Sequence, residues 1–531
     1  MNTPTPRLLG LFALACCATL CRAADLPFYQ PVQPPRPWQF MAHGGESRQA
    51  PANSRPALLR CIEDNLEWAE LDLRLTKDGQ HVLSRSDSMP GQNNEMWRIG
   101  DYALADLQTV DIGSPFAARF HNERLLSLKE AFDLAKGKLN LCLDCKTVDP
   151  EQLAGEILAA GMGTQVVVCG GLDDLRRVRD ASHGKMPLMA KWPNASGTAE
   201  WAVKNGLRAV EIDAPDVTAT LCESLHHEGI KVEAKVLDEW DQPEFWSKAA
   251  AAGVDWMQTD LPEELMAHAL WQRIKTRPVL FSLHRGANRY APENTLPAFD
   301  KAIRLNADYI EFDVRTTSDD KLYLLHDSTL DGRTDGKGRI ADTPSSVVSG
   351  LSAGVKFSRA YAKTPLPTLD EFLTDVAGKV GLYFDAKAIA PARLADALER
   401  YGVLDRTVVY GGPQFLARVK AVNPKIRLLP PLGSPGEIDA LAGELKPYAF
   451  DTKWEILSPE LIARCHELGI KVFSDSLGNH EHIEDFQKAM DWGIDLIQTD
   501  YPLRLFRAIE LRAGRGTDGR PSVSGPRPAG E

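Results

Sequence analysis

Glu311 and Asp313 stand two apart in a short apolar run, so on a β-strand both carboxylates point to one face. Asp385 ends another such run and can point into the same mouth. Three carboxylates crowded together repel; at ~4 Å and an effective dielectric near 20, each pair costs about 4 kcal/mol. Either one of them takes a proton or a cation sits among them. Oxygen ligands favour a hard divalent cation, Mg²⁺ or Ca²⁺, over zinc. Such an ion grips a phosphate oxygen and withdraws charge while a diester is attacked. His284 and His326 end two further strand-like runs. Cleaving a diester needs a base for the nucleophile and an acid for the departing alkoxide, and two imidazoles suit both roles, each worth roughly 10²–10⁴ in rate. A lone histidine at a strand end is usually structural; two of them beside an acidic cluster and two cations point to chemistry. Those cations are Arg285 and Lys387, placed where a phosphate would lie. Glu293 orients Arg285 or joins the metal ligands. Asn294 does either of these, meets substrate, or caps the helix that Thr295 begins.

The elements that must position these residues are written twice. His43, Glu70, Asp72, Asp144 and Lys146 precede His284, Glu311, Asp313, Asp385 and Lys387 by a constant 241 positions. Near the end of each copy, Gln258-Thr259-Asp260 matches Gln498-Thr499-Asp500 at an offset of 240. A repeat this long is two whole domains rather than a solenoid of short units. The first spans 36–266, a linker 267–278 takes in the end of its last helix, and the second spans 279–510. In the second copy, strand patterns near 279–284, 308–313, 381–387, 407–410, 427–429, 448–451, 471–474 and 495–499 alternate with amphipathic helices such as 295–305, 392–401, 414–422 and 459–468. Eight alternations predict a (β/α)₈ TIM barrel, with chemistry at the C-terminal strand ends. Residues 321–326 follow Asp313 too closely for a helical crossover and so return antiparallel as a hairpin. A doubly wound open sheet is the other candidate, but no Gly-rich phosphate loop follows the first strand. The fold class expected is therefore α/β, two tandem TIM barrels.

The second copy resembles the glycerophosphodiester phosphodiesterase family. The residues that carry the resemblance are His284-Arg285-Gly286, Pro292-Glu293-Asn294-Thr295, Glu311-Phe312-Asp313-Val314, His326-Asp327, Arg333-Thr334, Pro367-Thr368-Leu369 and Thr499-Asp500, over roughly 279–505. The resemblance implies metal-dependent hydrolysis of a glycerophosphodiester to glycerol 3-phosphate and an alcohol. It also implies His284 and His326 as the acid–base pair, Glu311 and Asp313 with Glu293 nearby as metal ligands, and Arg285 and Lys387 on the phosphate. Residues 327–364 would be the inserted segment beside the mouth, a source of substrate choice. Two departures stand out: Asp385 replaces the family's usual Glu, and Phe473-Ser474 replaces its Trp-Thr pair. In the first copy the arginine has become Gly44 and the glutamate Ala52, while the second histidine position falls at Arg85 or Ser86. Neither can exchange protons at neutral pH. That barrel is expected to be inactive or very weak, with a structural role against its twin, a binding role for a polymer or lipid headgroup, or an altered activity.

The net charge of −12 over 531 residues argues against a nucleic-acid partner. It leaves room for a small phosphate substrate held by local cations. Arg7, the apolar run 8–20 and Cys21-Arg22-Ala23 read as a signal peptide over 1–23, too short to span a bilayer, so the chain is expected to be exported, periplasmic or secreted. Six of nine cysteines lie beyond that segment. Cys142-Leu143-Asp144-Cys145 has redox or zinc spacing but sits in a strand-like run without a second pair, which favours buried thiols or a disulfide elsewhere in the first half. Residues 513–531, rich in Gly, Pro, Ser and Arg, are expected to be disordered. Two other functions fit parts of the pattern. One is a non-catalytic binding or scaffolding protein. The other is a phosphodiesterase for a different diester, such as a lysolipid, a phosphoinositide or a cell-wall polyol phosphate.

Overall fold

A computed structural model of the chain describes residues 28–91 and 95–514. The expected signal peptide and the tail from 515 onward lie outside the described residues, and Ala513 still belongs to the last helix, Pro502–Ala513. Two parallel β/α barrels follow one another. The first is built from β1 (Gln39–His43), β2 (Trp68–Leu75), β3 (Asn140–Cys145), β4 (Val166–Cys169), β5 (Leu188–Lys191), β6 (Ala209–Asp213), β7 (Lys231–Lys235) and β8 (Trp256–Thr259), and it closes where β1 pairs with both β2 and β8. The second is built from β9 (Leu280–Leu283), β10 (Tyr309–Thr316), β11 (Gly381–Asp385), β12 (Thr407–Tyr410), β13 (Arg427–Leu429, resuming as Pro431–Leu432), β14 (Ala449–Thr452), β15 (Lys471–Asp475) and β16 (Leu496–Thr499). Pro430 and Pro431, which have no N–H to donate, split β13 into two short pieces, and Tyr448 N to Leu428 O and Asp451 N to Pro430 O, each 3.0 Å, carry its pairing with β14 across the break. Leu322–Leu324 returns antiparallel on β10, as the short connection requires.

Alternation along the strands sorts the side chains. On β10, Ile310, Phe312 and Val314 face the helices and join the continuous core between strands and helices. Tyr309, Glu311 and Asp313 face the lumen. Tyr309 lies in an apolar plug with Tyr383, Val408, Leu429, Ala449, Phe473 and Leu496, which closes the lower lumen and leaves the acids at the mouth. On β2, Trp68, Glu70 and Asp72 follow the same rule over a plug that includes Met41, Cys142 and Trp256. Helix starts repeat as well: Ser127 with Glu130 and Thr368 with Glu371 form reciprocal capping boxes 241 positions apart.

The barrels meet through equivalent surfaces. Helix Pro262–Arg273 packs on helix Pro502–Ala513, its counterpart at an offset of 240. Trp271 packs against Phe281 and Phe506 across the junction. The loops 113–120 and 354–361, also equivalent, pair at their tips: Arg359 N donates to Phe116 O at 3.0 Å, and Arg119 donates to Phe357 O. Arg36 links Glu67 at 2.6 Å to Glu510 at 3.1 Å, with all three side chains nearly inaccessible. Lys301 reaches Glu263 at 2.8 Å and Glu264. A contact in which each half offers the same patch to the other has the form of an isologous dimer interface. All six cysteines in the described residues are free; Cys145 is partly buried and the other five are buried.

Candidate active site

The strand register builds the acidic cluster directly. Asp313 and Asp385 are side by side on β10 and β11, and Glu311 is one inward-facing position below Asp313. One oxygen from each of the three carboxylates lies within 4.8 Å of the others. Burial, and then the neighbouring Asp313 and Asp385, pushes the Glu311 carboxyl well above its usual range. Burial and Asp313 likewise raise Asp385, against the pull of Lys387. Lys387 Nζ lies 2.5 Å from Asp385 Oδ2 and 3.4 Å from Asp313 Oδ1. That Asp313 oxygen is buried and accepts no hydrogen bond. Mutually repelling, desolvated carboxylates with a buried oxygen that accepts no hydrogen bond are a donor set that fits a hard divalent cation.

The loop after β9 wraps this cluster. Arg285, at φ +55°, donates its backbone N–H to Glu311 at 2.7 Å. Its guanidinium meets Glu293 at 2.9 Å and Asp313 at 3.6 Å. Glu293 therefore lies between Arg285 and Arg333, the latter at 3.2 Å. Asn294, also at φ +55°, donates to Asp313 Oδ2 at 2.8 Å and accepts from Asp313 N at 3.1 Å. The structure thus puts Asn294 on Asp313, while Thr295 is the residue at the N-cap position of the following helix.

Both histidines have Nδ1 on a carboxylate. His284 Nδ1 is 3.0 Å from Asp500 Oδ1, and Asn288 donates to the same oxygen at 2.5 Å. Burial alone would raise the Asp500 carboxyl, but the bond and charge of His284 and the Asn288 amide hold it below the usual range. His326 Nδ1 is 2.9 Å from Asp327 Oδ1, and Arg315 fixes the His326 carbonyl through bonds of 2.8 and 2.6 Å. His326 is close enough to Asp385 to draw its pKa down, and His284 acts in the same way on Asp475. Asp500 and Asn288 were not singled out by role from the sequence. The repeated Gln-Thr-Asp ending each last strand was the available signal for Asp500; nothing comparable marked Asn288, whose counterpart is Ser47.

The first barrel keeps the frame and changes the reagents. Glu70, Asp72 and Asp144 again lie within 4.8 Å of one another, and Asn53 pairs with Asp72 at 2.8 Å as Asn294 does with Asp313. Burial and then Asp72 push the Glu70 carboxyl up to about 8. His43 Nδ1 sits 2.8 Å from Asp260. Arg74 holds the Arg85 carbonyl at 3.2 and 2.6 Å, the counterpart of Arg315 on His326, which settles Arg85 rather than Ser86 as the second histidine's equivalent. The Arg85 guanidinium lies 2.6 Å from His43 Nε2 and so covers the ring nitrogen that a substrate would meet. Deeper in the lumen, Glu233 stands where the second barrel has Phe473, fully buried and with neither oxygen hydrogen-bonded.

Comparison with known proteins points to one family for both barrels. The model of the glycerophosphoryl diester phosphodiesterase family matches residues 43–151 and 284–504, together more than half of the chain. A glycerophosphodiester phosphodiesterase of Caldanaerobacter subterraneus is 32% identical over 241 residues, 43% of this chain and 96% of that protein. One of Bacillus subtilis is 26% identical over 249 residues, 42% of this chain and 84% of that protein. Among solved structures, a glycerophosphodiester phosphodiesterase from Agrobacterium tumefaciens is 27% identical, with a TM-score of 0.41 over 43% of this chain and 99% of its own. A phosphodiesterase from Oleispira antarctica, solved in complex with the product sn-glycerol-3-phosphate, is 23% identical, with a TM-score of 0.41 over 44% of this chain and 96% of its own.

Proposed function

The chain belongs to the glycerophosphoryl diester phosphodiesterase family, a family of phosphoric diester hydrolases, and from that premise we propose that its second barrel alone hydrolyses glycerophosphodiesters to glycerol 3-phosphate and an alcohol. The observation that carries this reading is the paired anchoring of two imidazoles. His284 on Asp500 and His326 on Asp327 both have Nδ1 engaged, which leaves each Nε2 for the reactants. One accepts the proton of the attacking oxygen as the new P–O bond forms, that of water directly or that of the glycerol hydroxyl, in which case water then opens the cyclic phosphate. The other donates a proton to the departing alkoxide as the old P–O bond breaks. Asp500 and Asp327 fix the ring orientation and stabilise whichever ring is protonated. Arg285 and Lys387 stand beside the acids to draw the substrate phosphate in, and Arg285 is in turn held by Glu293.

Glu311, Asp313 and Asp385 would hold a divalent cation, Mg²⁺ or Ca²⁺, with Glu293 close by. Such an ion, when bound, supplies Lewis-acid withdrawal of charge from a phosphate oxygen. Asn294 positions Asp313 through its two hydrogen bonds, so its part in substrate binding is indirect. The first barrel serves as a structural partner: it retains an acidic triad, but Arg85 on His43 removes both the second proton carrier and access to the first. The N-terminal Arg7 and apolar run support export to the periplasm or medium. Among the described residues, no helix is long and apolar enough to cross a membrane.

Turnover of glycerophosphocholine by the full chain tests the proposal. Hydrolysis that stops on chelation and returns with Mg²⁺ or Ca²⁺ is expected. Inactivity toward every glycerophosphodiester offered, with metal supplied, would sink it and leave a binding protein as the better description.

A further inference from the structure

Against the mouth of the second barrel, where the two barrels meet, lies a cleft of about 410 Å³. Its walls carry Arg60 and Arg119 from the first barrel and Arg289, Arg333 and Lys356 from the second, with Glu293 as the lining acid. Three of these cations are partly neutralised. Arg60 meets Glu46 at 3.0 Å, Arg289 meets Glu63 at 3.4 Å, and Arg333 shares Glu293 with Arg285. Arg119 and Lys356 are different. Both are exposed, and among the described residues neither has a carboxylate within ion-pair distance. Arg119 spends its donors on the carbonyls of Phe357 and Gln49, and Lys356 donates to the carbonyl of Asp331. Partial burial, and after it the Arg60 charge, lower the Arg119 pKa.

The duplication supplies a control. The position equivalent to Arg119 is Ala360, that of Lys356 is Pro115, and that of Glu293 is Ala52. The Arg60 equivalent, Lys301, is taken up by Glu263 and Glu264. The two cations without a carboxylate partner therefore occur at one of two related mouths, the one with both histidines, with Arg119 lying over the rings of Phe120 and Phe357. The cleft also adjoins the reacting centre, because Glu293 and Asn288, which line it, hold Arg285 and Asp500.

We propose that this cleft is the leaving-group subsite of the second barrel and that it takes an alcohol bearing a second phosphate, so the preferred substrates are glycerophosphodiesters of polyol phosphates. This rests on the second barrel being the hydrolase. The first barrel then contributes to specificity through Arg119 rather than through its own lumen. The hydrolytic step is unchanged; only the group expelled differs. A phosphorylated headgroup of a deacylated lipid and the next unit of a poly(glycerol phosphate) chain share this chemistry.

Paired substrates test the inference on the full chain. Glycerophosphoinositol 4-phosphate is compared with glycerophosphoinositol, and bis(glycerophospho)glycerol with glycerophosphoglycerol. At least one phosphorylated member should be preferred about tenfold or more in kcat/KM, and which one identifies the source. Arg119→Ala with Lys356→Ala should abolish that preference while leaving the unphosphorylated partner within about twofold. Since Arg119 also bridges the barrels, Lys356→Ala alone should remove part of the preference and Arg119→Lys should retain most of it. Equal turnover within both pairs, or a preference that survives the double substitution, overturns the inference. If no diester is turned over, the hydrolase reading fails separately, and calorimetric binding of pyrophosphate in chelator then decides for the cleft. Binding weakened about tenfold or more by the double substitution supports it, and unchanged binding refutes it.

Discussion

At the scale of single residues, the proposed division of labour between the halves comes down to what sits on a histidine. Asp500 orients His284, and Asp327 orients His326; in the first half, Asp260 orients His43 but Arg85 covers its other nitrogen. His326→Ala should lower kcat by roughly 10²–10⁴ with little change in thermal midpoint, since removing a half-exposed ring at a strand end leaves no large cavity. A loss below tenfold would mean that His326 is not a proton carrier. Asp500→Asn should lower kcat by roughly 10–10²-fold, because the neutral amide still bonds the ring but no longer stabilises its protonated form. The residue types were legible in the sequence because the chemistry demands them: acids two apart, histidines at strand ends, an arginine next in line. Their pairings were not. Asp500 lies 216 positions from His284, and only closing the barrel brings β16 beside β9. The choice between Arg85 and Ser86 likewise needed the backbone, where Arg74 marks the register.

At the scale of elements, strand and helix positions followed from periodicity to within a few residues, since a parallel strand buried on both faces is a mostly apolar run with few polar interruptions, the lumen-facing acids among them. Two details did not follow. Pro430 breaks β13, and the positive φ of Arg285 and Asn294 turns the loop after β9 back onto the acids. Arg285 does not announce that conformation by type, whereas Asn is among the types that adopt it most readily, and it is the tertiary partners Glu311, Glu293 and Asp313 that hold the loop. A device repeated in both halves ties a helix to a strand edge. Asp255 accepts from His226 at 2.8 Å, Lys231 at 2.7 Å and Val232 N at 2.8 Å, and Asp495 accepts from His466 and Val472 N at 2.8 Å each. Burial opposes ionisation of Asp255, yet His226 and Lys231 hold its pKa below the usual 3.8. A depressed carboxyl contributes stability that is present above the unfolded value and lost as pH falls through the folded one. Asp255→Asn should therefore cost about 1–2 kcal/mol at pH 7 and progressively less below about pH 4, where wild type has lost the same contribution. Urea denaturation at pH 7 and pH 3 checks this; an equal cost at both would contradict it.

At the scale of the whole molecule, the barrels behave as a fused dimer whose two faces have diverged. Equivalent helices and equivalent loops still meet, but one mouth holds two histidines and the other an arginine plug and a buried Glu233. The repeat made the two-barrel plan readable from sequence. The way the halves meet was not, because interface residues such as Arg36, Glu67 and Glu510 belong to no motif. Arg36→Ala leaves the buried Glu67 without its cation, while Glu510 keeps Arg507 at 2.9 Å and Arg273 at 3.3 Å, and should cost about 3–5 kcal/mol. Calorimetry should show one cooperative transition in wild type and a lowered or divided one in the variant. In the proposed division, one barrel works and the other supports it. The most direct test of that division is kcat on glycerophosphocholine, with saturating metal, for two purified full-length variants. His284→Ala/His326→Ala should fall by about 10³-fold or more, while His43→Ala/Glu70→Gln should keep within about twofold of wild type. Substantial activity in the first variant, or its loss in the second with the fold intact, would place the chemistry in the other barrel.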